Sequence, residues 1–96
     1  MTLVAILTVS RSMLARFRAY ERAAAAIMTH HGGAIARTVV IDGDPLREVH
    51  VVTFPDAAAF AAYRAEPALA ALAAERAAVI VATEVLVGED GPDYHA

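Results

Sequence analysis

The chain has 96 residues, 58% of them hydrophobic and 20% charged, with a formal net charge of −3. That length holds one compact domain, and that much apolar surface excludes a disordered chain. Eleven acidic residues outnumber eight scattered basic ones, which excludes the basic footprint of a nucleic-acid-binding protein.

Residues Thr2 to Val9 are rich in Leu, Val and Ile and predict a strand. Ser10 or Ser12 offers an N-cap for a helix reaching about His31, in which Met13, Leu14, Phe17, Tyr20, Ala24, Ile27 and Met28 recur at three- and four-residue steps. Arg16, Arg18, Glu21 and Arg22 fall mostly off that stripe. Gly32-Gly33 ends the helix, supplying a glycine for the left-handed cap position. Ala34 to Ile41 and Arg47 to Phe54 predict two strands joined as a hairpin through the turn cluster Asp42-Gly43-Asp44-Pro45. Asp56 is placed to cap a helix carrying Phe60 and Tyr63. Pro67 interrupts it, and Glu66 can cap a second piece through Leu69 and Leu72 to about Arg76. Val79 to Val87 predicts the fourth strand. A domain over residues 1–88 is expected, followed by an acidic, poorly ordered tail over 89–96.

The order strand, helix, strand, strand, helix, strand, with right-handed crossovers, gives an α+β ferredoxin-like fold: a four-stranded antiparallel sheet with two helices on one face. Such a sheet should alternate apolar with polar if its second face meets water. It does not. Val4 and Ile6 oppose Leu3, Ala5, Leu7 and Val9; Val49 and Val51 oppose Val52 and Phe54; Val79, Val81, Val85 and Val87 oppose Ile80, Ala82 and Leu86. Two helices cover one face only, so a homodimer packed sheet against sheet is expected.

The absence of cysteine excludes disulfides, thiolate metal sites and cysteine nucleophiles. No apolar run, Ala23 to Met28 included, is long enough to span a bilayer. No charged-then-apolar leader precedes the first strand, so no membrane association and a cytoplasmic location are expected. Alanine fills 24 positions and every basic residue except histidine is arginine, the pattern of a GC-rich bacterial coding sequence.

His31-Gly32-Gly33 with Arg37 four residues on, and Phe54-Pro55-Asp56 through Phe60, Tyr63, Pro67, Leu69, Leu72 and Arg76 to Val87-Gly88, carry a likeness. Together they resemble a family of short bacterial proteins classed as a domain of unknown function within the dimeric α/β-barrel superfamily. Glu48 stands where members usually have Arg, and Leu69 where they tend to have an aromatic residue. The resemblance implies the dimeric barrel and no settled activity; superfamily relatives include cofactor-free monooxygenases, isomerases and non-enzymatic ligand binders.

Among candidate site residues, His50 lies inside an apolar strand. Glu48, two residues away, shares its sheet face, where a carboxylate can orient an imidazole as a general base; the plainer alternative is a solvated Glu and a His bonded to backbone or water. His30 and His31 suit the helix C-terminus, and His95 falls in the tail. No third ligand stands at metal spacing, so no metal and no cofactor are expected. Arg37 and Glu84 are the other charges within strands, each needing a partner or a pocket. Arg37 matches the Arg that the resemblance implies, a candidate anion anchor; its alternatives are solvent or a dimer salt bridge. Whether it shares a face with His50 depends on hairpin register. Tyr63 is a core residue or a hydroxyl donor at the pocket rim. The expectation is a cofactor-independent enzyme acting on a small apolar carbonyl or enol metabolite, with His50 as base, Arg37 stabilising negative charge, and Glu48, Tyr63 and Glu84 binding substrate. The alternative is a non-catalytic dimer that binds a small ligand or serves assembly.

Overall fold

The computed structural model describes residues 1–95. Strand β1 (Thr2–Val9) leads through a 3₁₀ turn (Arg11–Met13) into helix α1 (Leu14–Thr29). Strands β2 (Ala34–Ile41) and β3 (Leu46–Thr53) follow, then three short helices, α2 (Ala57–Arg64), α3 (Pro67–Ala70) and α4 (Ala73–Val79), and strand β4 (Ala82–Gly88). The sheet order is β2-β3-β1-β4 and the pairs are antiparallel. This is the ferredoxin-like α+β fold.

Local chemistry explains most boundaries. Ala59 N–H donates to the Asp56 carboxylate at 2.8 Å, so Asp56 caps α2. Gly32 adopts φ 74°, and Gly33 N–H donates back to the Met28 carbonyl at 3.0 Å to close α1. Three boundaries differ from expectation. The Ser10 and Ser12 hydroxyls bond to each other at 3.0 Å and cap nothing; the 3₁₀ turn intervenes before α1. The second helical region breaks twice, at Pro67 and again after Ala70. Val79 ends α4 fully buried, and the last strand begins only at Ala82. Residues 89–95 carry no regular secondary structure, although the Thr2 hydroxyl donates to Asp90 at 3.1 Å; Ala96, the last residue of the expected tail, lies outside the described residues.

Leu3, Leu7 and Val9 of β1 and Leu46 and Val52 of β3 point towards the helices and are buried. The core beneath the helices falls into two apolar groups. One gathers Leu7, Val9, Phe17, Tyr20, Ala24 and Val79; the other gathers Leu3, Met28, Val52 and Phe54. On β1 the small Ala5 lies between Leu3 and Leu7, and across the ladder it faces His50. Polar side chains therefore enter the helix side of the sheet where the apolar packing is thinnest. The other side carries Val4, Ile6, Val39, Ile41, Val49, Val51 and Leu86, with Leu86 51% exposed and no helix over it. Among the described residues no helix is long and apolar enough to cross a membrane.

Candidate functional site

Helix α1 presents two rows. Phe17, Tyr20, Ala24 and Met28 are buried in the core. Arg18, Glu21, Arg22 and Ala25 follow the same three- and four-residue steps along the neighbouring flank, which overlooks β2 and β3. Strand β2 is a sheet edge, so α1 and the edge enclose an open cleft of about 310 Å³. Ile35, Thr38 and Val40 of β2 and Glu48 and His50 of β3 complete its lining.

Glu48 and His50 are 6% and 4% exposed. His50 Nε2 lies 2.8 Å from Glu48 Oε1. A carboxylate only accepts, so with Glu48 ionised Nε2–H donates, and in the neutral imidazole it is Nδ1 that carries the lone pair. Glu21 Oε2 lies 3.7 Å from Nδ1, beyond hydrogen-bond reach, and the Arg18 guanidinium lies 3.9 Å from Glu48 Oε2. The imidazole thus stands between two carboxylates, one bonded and one close. Buried ions are costly unless paired, and this row pairs them from Arg18 to Glu21. Burial pushes the Glu21 carboxyl up from the ordinary range; His50 opposes that shift, Glu48 reinforces it and Arg76 opposes it.

The register places the other expected residues elsewhere. Between Ile35 and Arg37 the β2–β3 ladder carries a bulge, so Thr38 pairs with His50 while Arg37 pairs with Val51 on the opposite face. Arg37 does not join His50 in one cleft. Glu84 pairs with Ile6 and is exposed on that same opposite face, on the far edge strand. Tyr63 packs beside Phe54 at 5.5 Å between ring centroids and edge-on to His31 at 6.4 Å, outside the cleft lining. Burial, with smaller additions from Tyr20 and Glu21, pushes its hydroxyl up to about 12, so Tyr63 stays protonated at neutral pH. His30 is exposed at the end of α1, and His31 Nε2 is buried 4.0 Å from Glu66 Oε1 without a hydrogen-bond partner among the described residues. No group of three or more His, Cys, Asp or Glu among the described residues is placed to hold a metal ion.

Residues 3–89 match the model of the domain of unknown function DUF1330. The chain belongs to the DUF1330 family. No curated protein matches the sequence. Among solved structures, this DUF1330 domain is similar to a putative antibiotic biosynthesis monooxygenase from Bacteriodes thetaiotaomicron, at TM-score 0.79 and 13% identity, covering 100% of this chain and 93% of that one. It is also similar to SnoaB, a cofactor-independent oxygenase from Streptomyces nogalater, at TM-score 0.67 and 21% identity, covering 94% and 93% of the two chains. A third likeness is to an uncharacterized NIPSNAP domain protein from Burkholderia xenovorans, at TM-score 0.68 and 18% identity, covering 96% and 98%. At these identities the likenesses establish the fold alone.

In this DUF1330 domain three of the four groups that the sequence pattern left off the apolar stripe share the cleft with His50, while Arg16 pairs with Glu75. Glu21, Arg18 and Arg22 form the helical wall of the cleft. The signal was present as a second three- and four-step row beside the first, with Ala25 leaving space above it.

Proposed function

We propose that this chain is a cofactor-independent enzyme, working as a homodimer, that moves a proton at a carbon beside a carbonyl in a small metabolite. The buried Glu48–His50 pair carries the reading: Nε2–H is bound to Glu48 at 2.8 Å, which leaves Nδ1 as the basic position on the side of Glu21. A substrate C–H presented to Nδ1 gives up its proton there. The C–H electron pair becomes the new C=C bond while the C=O π pair moves onto the oxygen, forming an enolate, and return of the proton to carbon restores the imidazole. Glu48 and ionised Glu21 stabilise the imidazolium between them. Arg18 and Arg22, which line the same cleft, stand for the developing negative charge in place of Arg37. Side chains alone perform such chemistry, in keeping with the neighbour described as a cofactor-independent oxygenase.

The apolar sheet face of Val4, Ile6, Val39, Ile41, Val49, Val51 and Leu86 supports the homodimer, since a monomer rarely leaves so continuous an apolar surface in water. The arginine-only, alanine-rich composition supports a bacterial source, and we place the protein in the cytoplasm.

The test is deuterium exchange. A panel of small ketones, oxo acids and 1,3-dicarbonyl compounds is incubated with the protein in D₂O, and loss of the enolisable proton signal is followed by NMR. Catalysed exchange that falls about 10²–10⁴-fold in His50→Gln, with the fold retained by circular dichroism, supports the general base. Binding of a panel member without exchange would instead make the chain a ligand-binding dimer.

A further inference from the structure

Arg22 is one helical turn from Arg18 on the cleft wall, but the two arginines differ in their surroundings. Arg18 faces the buried Glu48 carboxylate at 3.9 Å. Arg22 forms no ion pair and no side-chain hydrogen bond among the described residues, while lining the cleft with Thr38 across from it on β2. The rest of that end of the cleft is apolar: Ala25, Ile35 and Val40. Glu48 faces Arg18 at 3.9 Å and Glu21 faces His50 at 3.7 Å, so Arg22 is the one charged group of the cleft wall with no oppositely charged side chain against it among the described residues. A guanidinium beside a hydroxyl and an apolar wall recognises a small organic anion, and its planar fork matches a carboxylate.

We infer that the cleft takes a small carboxylate-bearing carbonyl compound, an oxo acid, with its carboxylate on Arg22 and Thr38 and its enolisable carbon towards His50. The carboxylate site stands on the cleft alone. The placement of the reacting carbon rests on the general-base reading above. Seating the anion at Arg22 also separates the two negative charges of the enolised substrate, since the enolate oxygen then has Arg18 nearby.

The experiment uses 2-oxobutyrate and its uncharged relative 2-butanone as probes of the full chain, with binding read from ¹⁵N-resolved NMR shifts. The acid is expected to bind at least tenfold more tightly than the ketone, and the preference to shrink as salt is raised. Arg22→Gln is expected to abolish the preference and Arg22→Lys to restore part of it, while His50→Gln keeps the acid's affinity. Equal affinity for acid and ketone, no binding of either, or an unchanged preference in Arg22→Gln would overturn the carboxylate site. An acid that binds through Arg22 but exchanges no proton in D₂O upholds the carboxylate site and overturns the general-base reading instead.

Discussion

His50 Nε2 and Glu48 Oε1 meet at 2.8 Å on a face whose other β1 and β3 residues are apolar, with both side chains buried. Removing one partner leaves the other polar and unpaired in a low-dielectric setting. His50→Ala is therefore expected to destabilise the fold by about 3 kcal/mol, because the Glu48 carboxylate loses its bonded donor and keeps only Arg18 at 3.9 Å. His50→Gln, which can donate an amide N–H to the same oxygen, is expected to cost about 1 kcal/mol. Urea unfolding followed by circular dichroism measures both. Equal costs would mean that the hydrogen bond is not what holds the pair in the core.

Glu21 gives the fold a pH signature. Its folded carboxyl lies above the ordinary glutamate range, chiefly through burial, so the folded state binds a proton that the unfolded state has already lost. Stability from this group is fully present below the unfolded value and falls away as pH rises through the folded one. Glu21→Gln, which keeps the neutral form at every pH, is expected to remove that part of the slope. The check is the urea midpoint of both proteins from pH 4 to 8. The variant gains on the parent as pH rises, and parallel curves would contradict the assignment.

The apolar sheet face predicts its own partner. In a twofold dimer whose axis runs along the strands between two sheets, the order β2-β3-β1-β4 is reversed, and β2 lies over the partner's β4. Arg37 on β2 is level with Val4, and Glu84 on β4 is level with Ile6. They are two residues apart along the strand, about 7 Å, within reach of an arginine side chain. Val49→Asp is expected to yield a monomer at micromolar concentration. Arg37→Glu and Glu84→Arg are each expected to weaken association roughly tenfold, and the double exchange to recover most of it. Sedimentation equilibrium reads all four; weakening in the double exchange that equals the sum of the singles would remove this pairing.

Arg37 also marks where reading by pattern stops. The strand order, the helix cap at Asp56, the left-handed glycine at Gly32 and the inward row of β3 follow from alternation, spacing and turn chemistry. The pairing of Glu48 with His50 follows from the same two-residue period. Arg37 does not follow from it, because one bulged residue in β2 moves every later side chain to the other face. Without the bulge, Arg37 would oppose His50; with it, Thr38 does. Glu21 was hidden for a different reason. A glutamate beside an apolar stripe ordinarily faces water, and only the β3 carboxylate and imidazole, distant in sequence, make its flank an interior one. The second break in the helical region, between Ala70 and Ala73, has no proline or glycine to announce it.

Gly33 tests how tightly α1 is seated against the sheet below the cleft. A Cβ built at this buried position would lie 2.5 Å from Met28 Cγ and 2.5 Å from Phe54 Cε1. Both neighbours are hemmed in: they belong to the same buried apolar group, and the Phe54 ring packs at a tilt against Phe60 at 5.3 Å and Tyr63 at 5.5 Å. Gly33→Ala therefore overpacks the junction where α1 hands over to β2, at an expected cost of about 2 kcal/mol. In a domain of this size that corresponds to a fall in melting temperature of roughly 10 °C. Gly88→Ala is the matched control, since a Cβ there meets nothing within 4 Å, and its melting temperature is expected to stay within about 2 °C of the parent. Thermal unfolding followed by circular dichroism compares the three proteins; a Gly33→Ala variant that melts with the control would show that Met28 and Phe54 can shift aside, and that the junction of α1 and β2 is looser than its packing implies.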